Sequence, residues 1–341
     1  MDMRITPKIR ILSVGSFLPS NIIKSNDLFD EIKSETFYNT PRTWMSEKVG
    51  IVERRASSLD DLPSSLALPA AQQALEACEN LNPDDIDLVI FCGIERDQPE
   101  PATAHTINHQ LGLKAKHCFD LANACYGFME AMQTASMYIK AGETKKALIV
   151  TGEISTHVMR KVVDELKQGI DPLEARKKLG ALTVGDAGGA VIMGESYGYD
   201  CPGFELFNTT VDSSHGDKCT YRHNKKGGIS GQMLMGPISK AVVSMQQGLF
   251  ADTMKRLGWE KADWVISHQM GKPPFDRIQK MSGVEETKMI KTYPHLGNIT
   301  SATFAVNYHN LMNNGSVRAG DKVLGCFAGS GLAIGQVGYT I

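Results

Sequence analysis

The sequence predicts an α/β protein built from two similar halves. Three observations support this prediction: short aliphatic runs alternate with longer amphipathic stretches, parts of the chain repeat, and 32 of the 341 residues are glycines without a Gly-X-Y period. The alternation is typical of βαβ units, and the glycines are typical of tight turns between strands and helices. With 42% hydrophobic and 22% charged residues, the chain is able to bury a large core and is not disordered.

The first half predicts alternating strands and helices. In chain order they are strand 9–14, helix 64–78, strand 87–92, helix 102–111, strand 118–122, helix 127–140, and strands 146–150 and 189–193. An insertion at about 153–184 precedes the last strand. Its charged amphipathic segment, 156–179, breaks at Asp171-Pro172 and predicts one or two helices, which either form a solvated face or cover a site or a dimer contact.

The second half repeats the order of the first. Residues 87–90 resemble 263–266 at an offset of 176, and residues 147–148 resemble 323–324 at the same offset. A strand at 291–293 is expected to correspond to the one at 120–124. The sequence therefore predicts pseudo-symmetric halves at 1–196 and 197–341, although matches this short also arise by chance between α/β segments.

Charge and cysteine content exclude several classes of protein. A net charge of -2, from 36 basic and 38 acidic residues, supplies no field for nucleic acid. No apolar run is long enough for a membrane span, and the N-terminus lacks the apolar core of a signal peptide. Seven cysteines without a CxxC pair predict free thiols in a reducing cytoplasm and no metal site.

Cys125 is the leading candidate for a nucleophile. It lies between the predicted strand at 118–124 and the helix that follows, so its backbone is expected at a sharp turn. The positive end of a helix dipole lowers the pKa of a thiol, which favours the reactive thiolate. A lone cysteine at this position is otherwise a small buried hydrophobe.

Two polar residues and one turn are candidates to act with Cys125. His268 follows the apolar run at 264–267, at the end of a strand where α/β folds place their sites. Asn298 lies in a turn that the repeat makes the counterpart of the Cys125 turn, so pseudo-symmetry predicts that the two face each other. The turn at Ser330 and Gly331 is a candidate source of a backbone N–H for an oxyanion. Structural roles, including an N-cap for Asn298, are the alternatives.

Five short motifs span nearly the whole chain in the order of a known family. They are Trp44 with Gly50-Ile51 and Arg54-Arg55, Pro101-Ala102-Thr103-Ala104, Ala124-Cys125 with Gly127-Phe128, His268-Gln269, and Gly297-Asn298. Together they resemble the motifs of β-ketoacyl-ACP synthase III, a member of the thiolase superfamily. The resemblance implies the five-layered αβαβα thiolase-like fold, usually found as a homodimer.

The resemblance also implies a chemistry. Cys125 would take an acyl group from acyl-CoA or from an acyl carrier protein, and a second thioester would arrive as a carbanion equivalent. His268 and Asn298 would donate hydrogen bonds to the second thioester carbonyl, while backbone N–H groups of Cys125 and of the Ser330-Gly331 turn would hold the first oxyanion. CoA or phosphopantetheine thioesters would be substrates, and no metal or other cofactor is implied.

Two positions refine the resemblance. The family's Arg-Thr-Gly-Ile reads Lys48-Val49-Gly50-Ile51 here, so an arginine that binds CoA is replaced by Lys48, while Trp44 remains able to stack on adenine. The segment 100–104 is closer to the branch that condenses two fatty acyl-CoAs head to head in olefin synthesis. In that branch a glutamate at the position of Glu100 acts as a base across the dimer. The alternative for Glu100 is a solvated charge.

Several alternatives stay open at this point. Acyl transfer to an oxygen or nitrogen nucleophile would use the same Cys125 and His268, and a non-catalytic partner subunit would keep only the fold. The basic segment 222–226 has two interpretations. It either contacts CoA phosphates or the surface of an acidic carrier protein, or it is only solvated surface. Met233, Met235 and Met245 either line an acyl tunnel or belong to the core.

Overall fold

The computed structural model describes residues 8–196, 201–223 and 229–341. Residues 224–226 of the basic segment therefore lie outside the described residues. The strands are β1 Lys8–Phe17, β2 Asn21–Lys24, β3 Glu53–Ala56, β4 Ile86–Cys92, β5 His117–Leu121, β6 Lys146–Glu153, β7 Ala187–Ser196, β8 Gly203–Val211, β9 Cys219–His223, β10 Ile229–Met233, β11 Trp264–Ser267, β12 Lys322–Gly329 and β13 Ala333–Thr340. The helices are α1 Ser25–Glu31, α2 Ser34–Tyr38, α3 Pro63–Ala77, α4 Thr103–Gln110, α5 Gly127–Lys140, α6 Thr156–Leu166, α7 Pro172–Lys178, α8 Met235–Leu257, α9 Lys272–Ser282, α10 Tyr293–Leu296 and α11 Thr303–Met312.

The two main sheets have the same topology. The first has the order β1-β7-β6-β4-β5, in which β4 is parallel to β5 and β6 while β7 is antiparallel to β6 and β1. The second has the order β8-β13-β12-β11, in which β12 is parallel to β11 and antiparallel to β13, and β13 is antiparallel to β8. Strands β8, β13, β12 and β11 thus correspond to β1, β7, β6 and β4.

Strand register confirms the internal repeat. Leu88 is paired with Ala147 in the first sheet, and Trp264 is paired with Val323 in the second, so both partners are displaced by 176 residues. Helices α5 and α11 begin at residues 127 and 303, which are also 176 apart. The fold is therefore a duplication, as the sequence predicted.

The expected strand at 291–293 is absent from the structure. Only Met289 forms an isolated parallel bridge, to Val265, at the position of β5. The Oε1 atom of Gln269 accepts hydrogen bonds from the backbone N–H groups of Thr292 and Tyr293, both at 2.9 Å, and Tyr293 begins α10. Because these N–H groups are bonded to a side chain, they do not join a strand ladder.

Five layers follow from the faces that each sheet buries. Alternate residues of β4 belong to two different cores. Leu88 and Ile90 face inward to α5 and α11, whereas Val89 and Phe91 face outward to α3 and α4. On the second sheet, the outer face is covered by α8 and α9. The order of layers is αβαβα, with α5 and α11 between the sheets. This confirms the predicted fold class.

The insertion forms helices, as the sequence indicated. Helix α6 and helix α7 are separated at residue 171, where the Asp171 side chain accepts hydrogen bonds from Leu173 N and Glu174 N and caps α7.

Among the described residues, no helix is long and apolar enough to cross a membrane.

Candidate active site

Cys125 lies in a tight turn between β5 and α5. Tyr126 N donates to Asn123 O at 3.0 Å and Gly127 N donates to Ala124 O at 2.9 Å, while Ala124 has a φ of 46°. The end of β12 approaches this turn closely, because a Cβ added to Gly329 would lie 2.8 Å from Tyr126 N. Glycine at the strand end therefore allows the second sheet to contact the turn that carries Cys125. The thiol is half-buried.

The thiol of Cys125 is held in its neutral form. Burial raises the pKa of Cys125 well above its ordinary value, and the negative charges of Glu153 and Cys219 raise it further, while its own backbone N–H lowers it. The expectation that a helix start would lower this pKa is therefore wrong in the ligand-free protein. Loss of solvation outweighs the short helix-end dipole, so thiolate formation needs help from neighbouring groups or from the substrate.

His268 is fixed at the end of β11 by its backbone and its neighbour. Its N–H donates to Cys326 O at 2.9 Å, and Gln269 Nε2 donates to Ile290 O at 2.7 Å. The ring is buried, and its Nδ1 has no hydrogen-bond partner in the described part of the chain. Burial lowers the pKa of His268 to about 4, so the imidazole is neutral at pH 7.

Asn298 is held by backbone contacts to the last residues of the insertion and the residue that follows it. Its N–H donates to Thr183 O at 2.8 Å, and its carbonyl accepts from Gly185 N at 3.1 Å. Its side-chain Oδ1 accepts from Thr300 N at 3.0 Å. The amide nitrogen, which has no hydrogen-bond partner among the described residues, is the end left to act as a donor.

Three cavities meet at these residues. A central cavity of about 40 Å³ is lined by Cys125, His268 and Asn298, together with Ser330. An inner cavity of about 190 Å³ has mostly apolar walls and also includes Cys125 and Asn298. An entrance cavity of about 330 Å³ reaches from Asn298 to the surface. Met233 lines all three, so they form a connected series.

The entrance cavity contains the predicted substrate-binding residues. Trp44 and Lys48 both line it, and Met235 lies on the same wall. Trp44 also lines an adjoining depression of about 480 Å³, whose other wall includes Arg176 and Lys177 of α7. The insertion therefore borders the depression beside the entrance cavity, and its Thr183 lines the entrance cavity itself.

Some predicted residues lie elsewhere. Glu100 is exposed and lines none of the three cavities of the described chain. Gly331 follows the cavity residue Ser330 but is not itself part of the lining. Of the three methionines, Met245 packs in the core formed by α8 and the second sheet and does not line the cavities, whereas Met233 and Met235 do.

Sequence reasoning missed several residues of the inner cavity, among them residues with titratable side chains. Glu153, Cys219 and Tyr221 line it together with Cys125. The signal for Glu153 is a charged residue at the end of an otherwise buried strand, whose counterpart in the repeat is Gly329. Cys219 and Tyr221 belong to the hairpin of β9 and β10, which carries no motif that distinguishes it in the sequence.

Comparisons with known proteins show which family the chain resembles. Residues 119–214 match the family model of 3-oxoacyl-[acyl-carrier-protein (ACP)] synthase III, and residues 254–341 match the model of its C-terminal part. β-Ketoacyl-[acyl-carrier-protein] synthase III of Chelativorans sp. (strain BNC1) is 28% identical over 339 residues, covering 96% of this chain and 97% of the relative. The enzyme of the same name from Clostridium acetobutylicum is also 28% identical, over 346 residues, with the same shares covered.

Solved structures show the same fold. Cerulenin-bound OleA of Xanthomonas campestris superposes with a TM-score of 0.90 at 24% sequence identity, covering 99% of this chain and 98% of that one. The polypeptide path is therefore shared over nearly the whole length of both chains.

Proposed function

Because this chain belongs to the family of 3-oxoacyl-[acyl-carrier-protein] synthase III enzymes, we propose that it condenses two acyl thioesters through an acyl-S-Cys125 intermediate. It is a condensing enzyme of the thiolase superfamily and of the acyltransferase type. The observation that carries the finer proposal is that Cys125, His268 and Asn298 line one small cavity between an open entrance and an apolar pocket.

The first substrate enters through the entrance cavity. This substrate is an acyl-CoA or an acyl carrier protein thioester, and in both the acyl group is attached to a phosphopantetheine arm. The arm is long and narrow enough to extend from the surface to Cys125. Trp44 at the mouth offers a ring for the adenine, and Lys48 and Arg176 offer positive charge for phosphates. The apolar inner cavity beyond Cys125 is suited to the acyl chain, whose burial is favourable by about 0.8 kcal/mol per CH₂.

The first half-reaction exchanges one thioester for another. The sulfur of Cys125 forms a bond to the acyl carbon, the bond from that carbon to the CoA sulfur breaks, and the thiol proton passes to the departing sulfur. Neutral His268, which lines the central cavity together with Cys125, is the group able to relay that proton. Backbone N–H groups of Cys125 and of the Ser330-Gly331 turn stabilise the oxyanion.

The second half-reaction forms the carbon–carbon bond. His268 and Asn298 donate hydrogen bonds to the carbonyl of the second thioester as it gains enolate character, and the α-carbon attacks the acyl carbon on Cys125. The C–S bond breaks, a β-keto product leaves, and the Cys125 thiolate takes up a proton, which comes from the protonated base in the deprotonation route and from water in the decarboxylation route. Loss of CO₂ from a malonyl group or removal of an α-proton by a base creates the nucleophilic carbon. Neither route requires a metal or another cofactor.

A base role for Glu100 requires a second subunit. Its loop is attached to β5, because Asp120 accepts hydrogen bonds from Thr103 N and Ala104 N at 2.8 and 2.9 Å. Among the described residues, β5 pairs with β4 alone, so its other edge is available to a second copy of the chain. A homodimer formed along this edge would carry Glu100 toward the site of the partner.

Mass spectrometry after incubation with acyl-CoAs of several chain lengths tests the intermediate. The expected result is an adduct on Cys125 that is lost in the Cys125→Ser variant, since a serine hydroxyl is a much weaker nucleophile at neutral pH. An adduct that persists in Cys125→Ser would exclude Cys125 as the nucleophile. No adduct with any chain would favour a non-catalytic partner subunit, and an ester or amide product would favour acyl transfer to oxygen or nitrogen.

Mixing inactive subunits tests the base across the dimer. Chains with Cys125→Ser and chains with Glu100→Ala are each expected to be inactive with two acyl-CoAs. Mixed dimers would regain activity, because one of their two sites keeps both residues. Full activity of Glu100→Gln with plain acyl-CoA as second substrate would reject the base role of Glu100.

A further inference from the structure

Glu153 is a buried carboxyl group in the inner cavity that the proposed chemistry does not use. It is the last residue of β6, is 1% exposed, and lines the cavity together with Cys125 and Asn298. No ion pair involves it in the part of the chain that the structure describes. A carboxylate in such a place is unusual, because burying a charge without a counter-charge is costly.

Only neutral donors hold the Glu153 carboxylate. Ile94 N lies 3.3 and 3.4 Å from its two oxygens, Ser301 N lies 3.4 Å from Oε1, and Ser301 Oγ makes a short hydrogen bond to the same oxygen. The backbone contacts are long and stabilise the anion weakly. Burial therefore dominates and raises the pKa of Glu153 to about 7, so both protonation states are populated near neutral pH.

The titratable groups that line the inner cavity with Glu153 are acidic or neutral. The inner cavity adds Glu95, Cys219 and Tyr221. From β4, Cys92 faces it, and the negative charge of Glu153 raises the pKa of Cys92. Beyond Ser155, Asp186 precedes β7 and accepts the Ser155 N–H at 2.7 Å. No lysine, arginine or histidine is among the residues that line this cavity.

Glu153 and Cys125 therefore compete for one negative charge. Ionised Glu153 raises the pKa of Cys125, and by reciprocity a Cys125 thiolate disfavours ionised Glu153. In a mostly apolar cavity, the state with both groups ionised is the least stable. At neutral pH the fully protonated pair and the pair with ionised Glu153 are the populated states, and the state with the charge on Cys125 is the minor one that carries the thiolate.

We propose that Glu153 controls thiolate formation at Cys125 by accepting a proton whenever Cys125 gives one up. The S–H bond of Cys125 breaks as an O–H bond forms on Glu153, directly or through water. The total charge of the Cys125–Glu153 pair therefore stays at −1. When Cys125 becomes acylated, Glu153 releases this proton again, and His268 passes a proton to the departing CoA sulfur as in the first half-reaction. Glu153 is thus a positioning residue that acts through Cys125, and the inference rests on the proposed role of that thiol.

The pH profile of Cys125 alkylation by iodoacetamide tests the proposal without any acyl substrate. With the carboxyl present, the thiolate fraction rises with pH up to about 7 and then levels off, because the pair then holds one proton, which is divided between the two groups in a ratio that does not depend on pH. In Glu153→Gln the fraction continues to rise. Rates read from the Cys125 peptide by mass spectrometry should be equal at pH 6 and about tenfold higher in Glu153→Gln at pH 8.

Two further variants keep the test decisive. Ser301→Ala removes the shortest hydrogen bond to the carboxylate, so the level part of the profile should begin at a higher pH. Glu143→Gln, which removes an exposed carboxyl after α5, should leave the profile unchanged. Parallel profiles for the parent and Glu153→Gln, or no alkylation of Cys125 between pH 6 and 9, would overturn the proposal. Failure to form an acyl adduct would instead count against the proposed function and leave this profile intact.

Discussion

Replacing His268 by asparagine should remove an acid-dependent loss of stability. Burial lowers the pKa of His268 to about 4 from an ordinary value of 6.5, so the unfolded chain takes up a proton at a higher pH than the native protein does. Between pH 6.5 and pH 4 the unfolded state therefore binds more protons, and the free energy of unfolding falls as the pH is lowered. Above pH 6.5 this contribution is absent, because the ring is neutral in both states.

The magnitude follows from the two pKa values. At pH 5 the unfolded histidine is almost fully protonated while the native one is mostly neutral, which corresponds to a loss of about 2 kcal/mol relative to pH 7.5. His268→Asn lacks this titration. It also loses ring contacts, which lowers stability by a similar amount at both pH values and cancels in the comparison.

Urea unfolding followed by tryptophan fluorescence at pH 7.5 and pH 5 measures the effect. The gap in unfolding free energy between parent and His268→Asn should narrow by about 2 kcal/mol at pH 5. His105→Asn, an exposed position on α4, provides the control and should show no such change. A gap that is the same at both pH values would refute the argument that burial keeps His268 neutral.

Three further outcomes are expected. Asn298→Ala should slow condensation by ~10² to 10³ while acylation stays near the parental rate, as measured by rapid quench, and equal slowing of both steps would contradict the assignment. Trp44→Ala should raise the KM for acyl-CoA with a smaller change in kcat, since Trp44 lies at the mouth of the entrance cavity, far from the reacting atoms. Gly152→Ala should lower the melting temperature strongly or prevent folding, because its Cβ would overlap the carbonyl oxygen of Pro63, and an unchanged melting temperature would disprove that close contact.

Local pattern was sufficient to predict most of the fold. Hydrophobic periodicity and the offset of 176 residues predicted the duplicated halves, and the break at Asp171-Pro172 predicted the two helices of the insertion. The expected strand at 291–293 was wrong because Gln269, some twenty residues earlier, takes the backbone N–H groups that a ladder needs. That contact has no local signature.

The residues of the candidate site were likewise predicted only in part from the sequence. The motifs identified Cys125, His268 and Asn298, which the structure brings to one cavity, and their roles remain predictions for experiment. Glu100 carries a motif but lies outside the cavities of the described chain. Glu153 carries no motif, yet it shares a cavity with Cys125.

By itself, the sequence determined the order of strands and helices, their repetition, and the residue types available for acyl transfer, because these depend on side chains close together along the chain. Only the tertiary structure decided the ionisation of those residues. Burial by distant segments raises the pKa of Cys125 and lowers that of His268, and the packing of those segments places Glu153 in the same cavity as Cys125. Desolvation and charge coupling depend on what surrounds a group in three dimensions, and that surrounding exists only once both sheets have packed on α5 and α11.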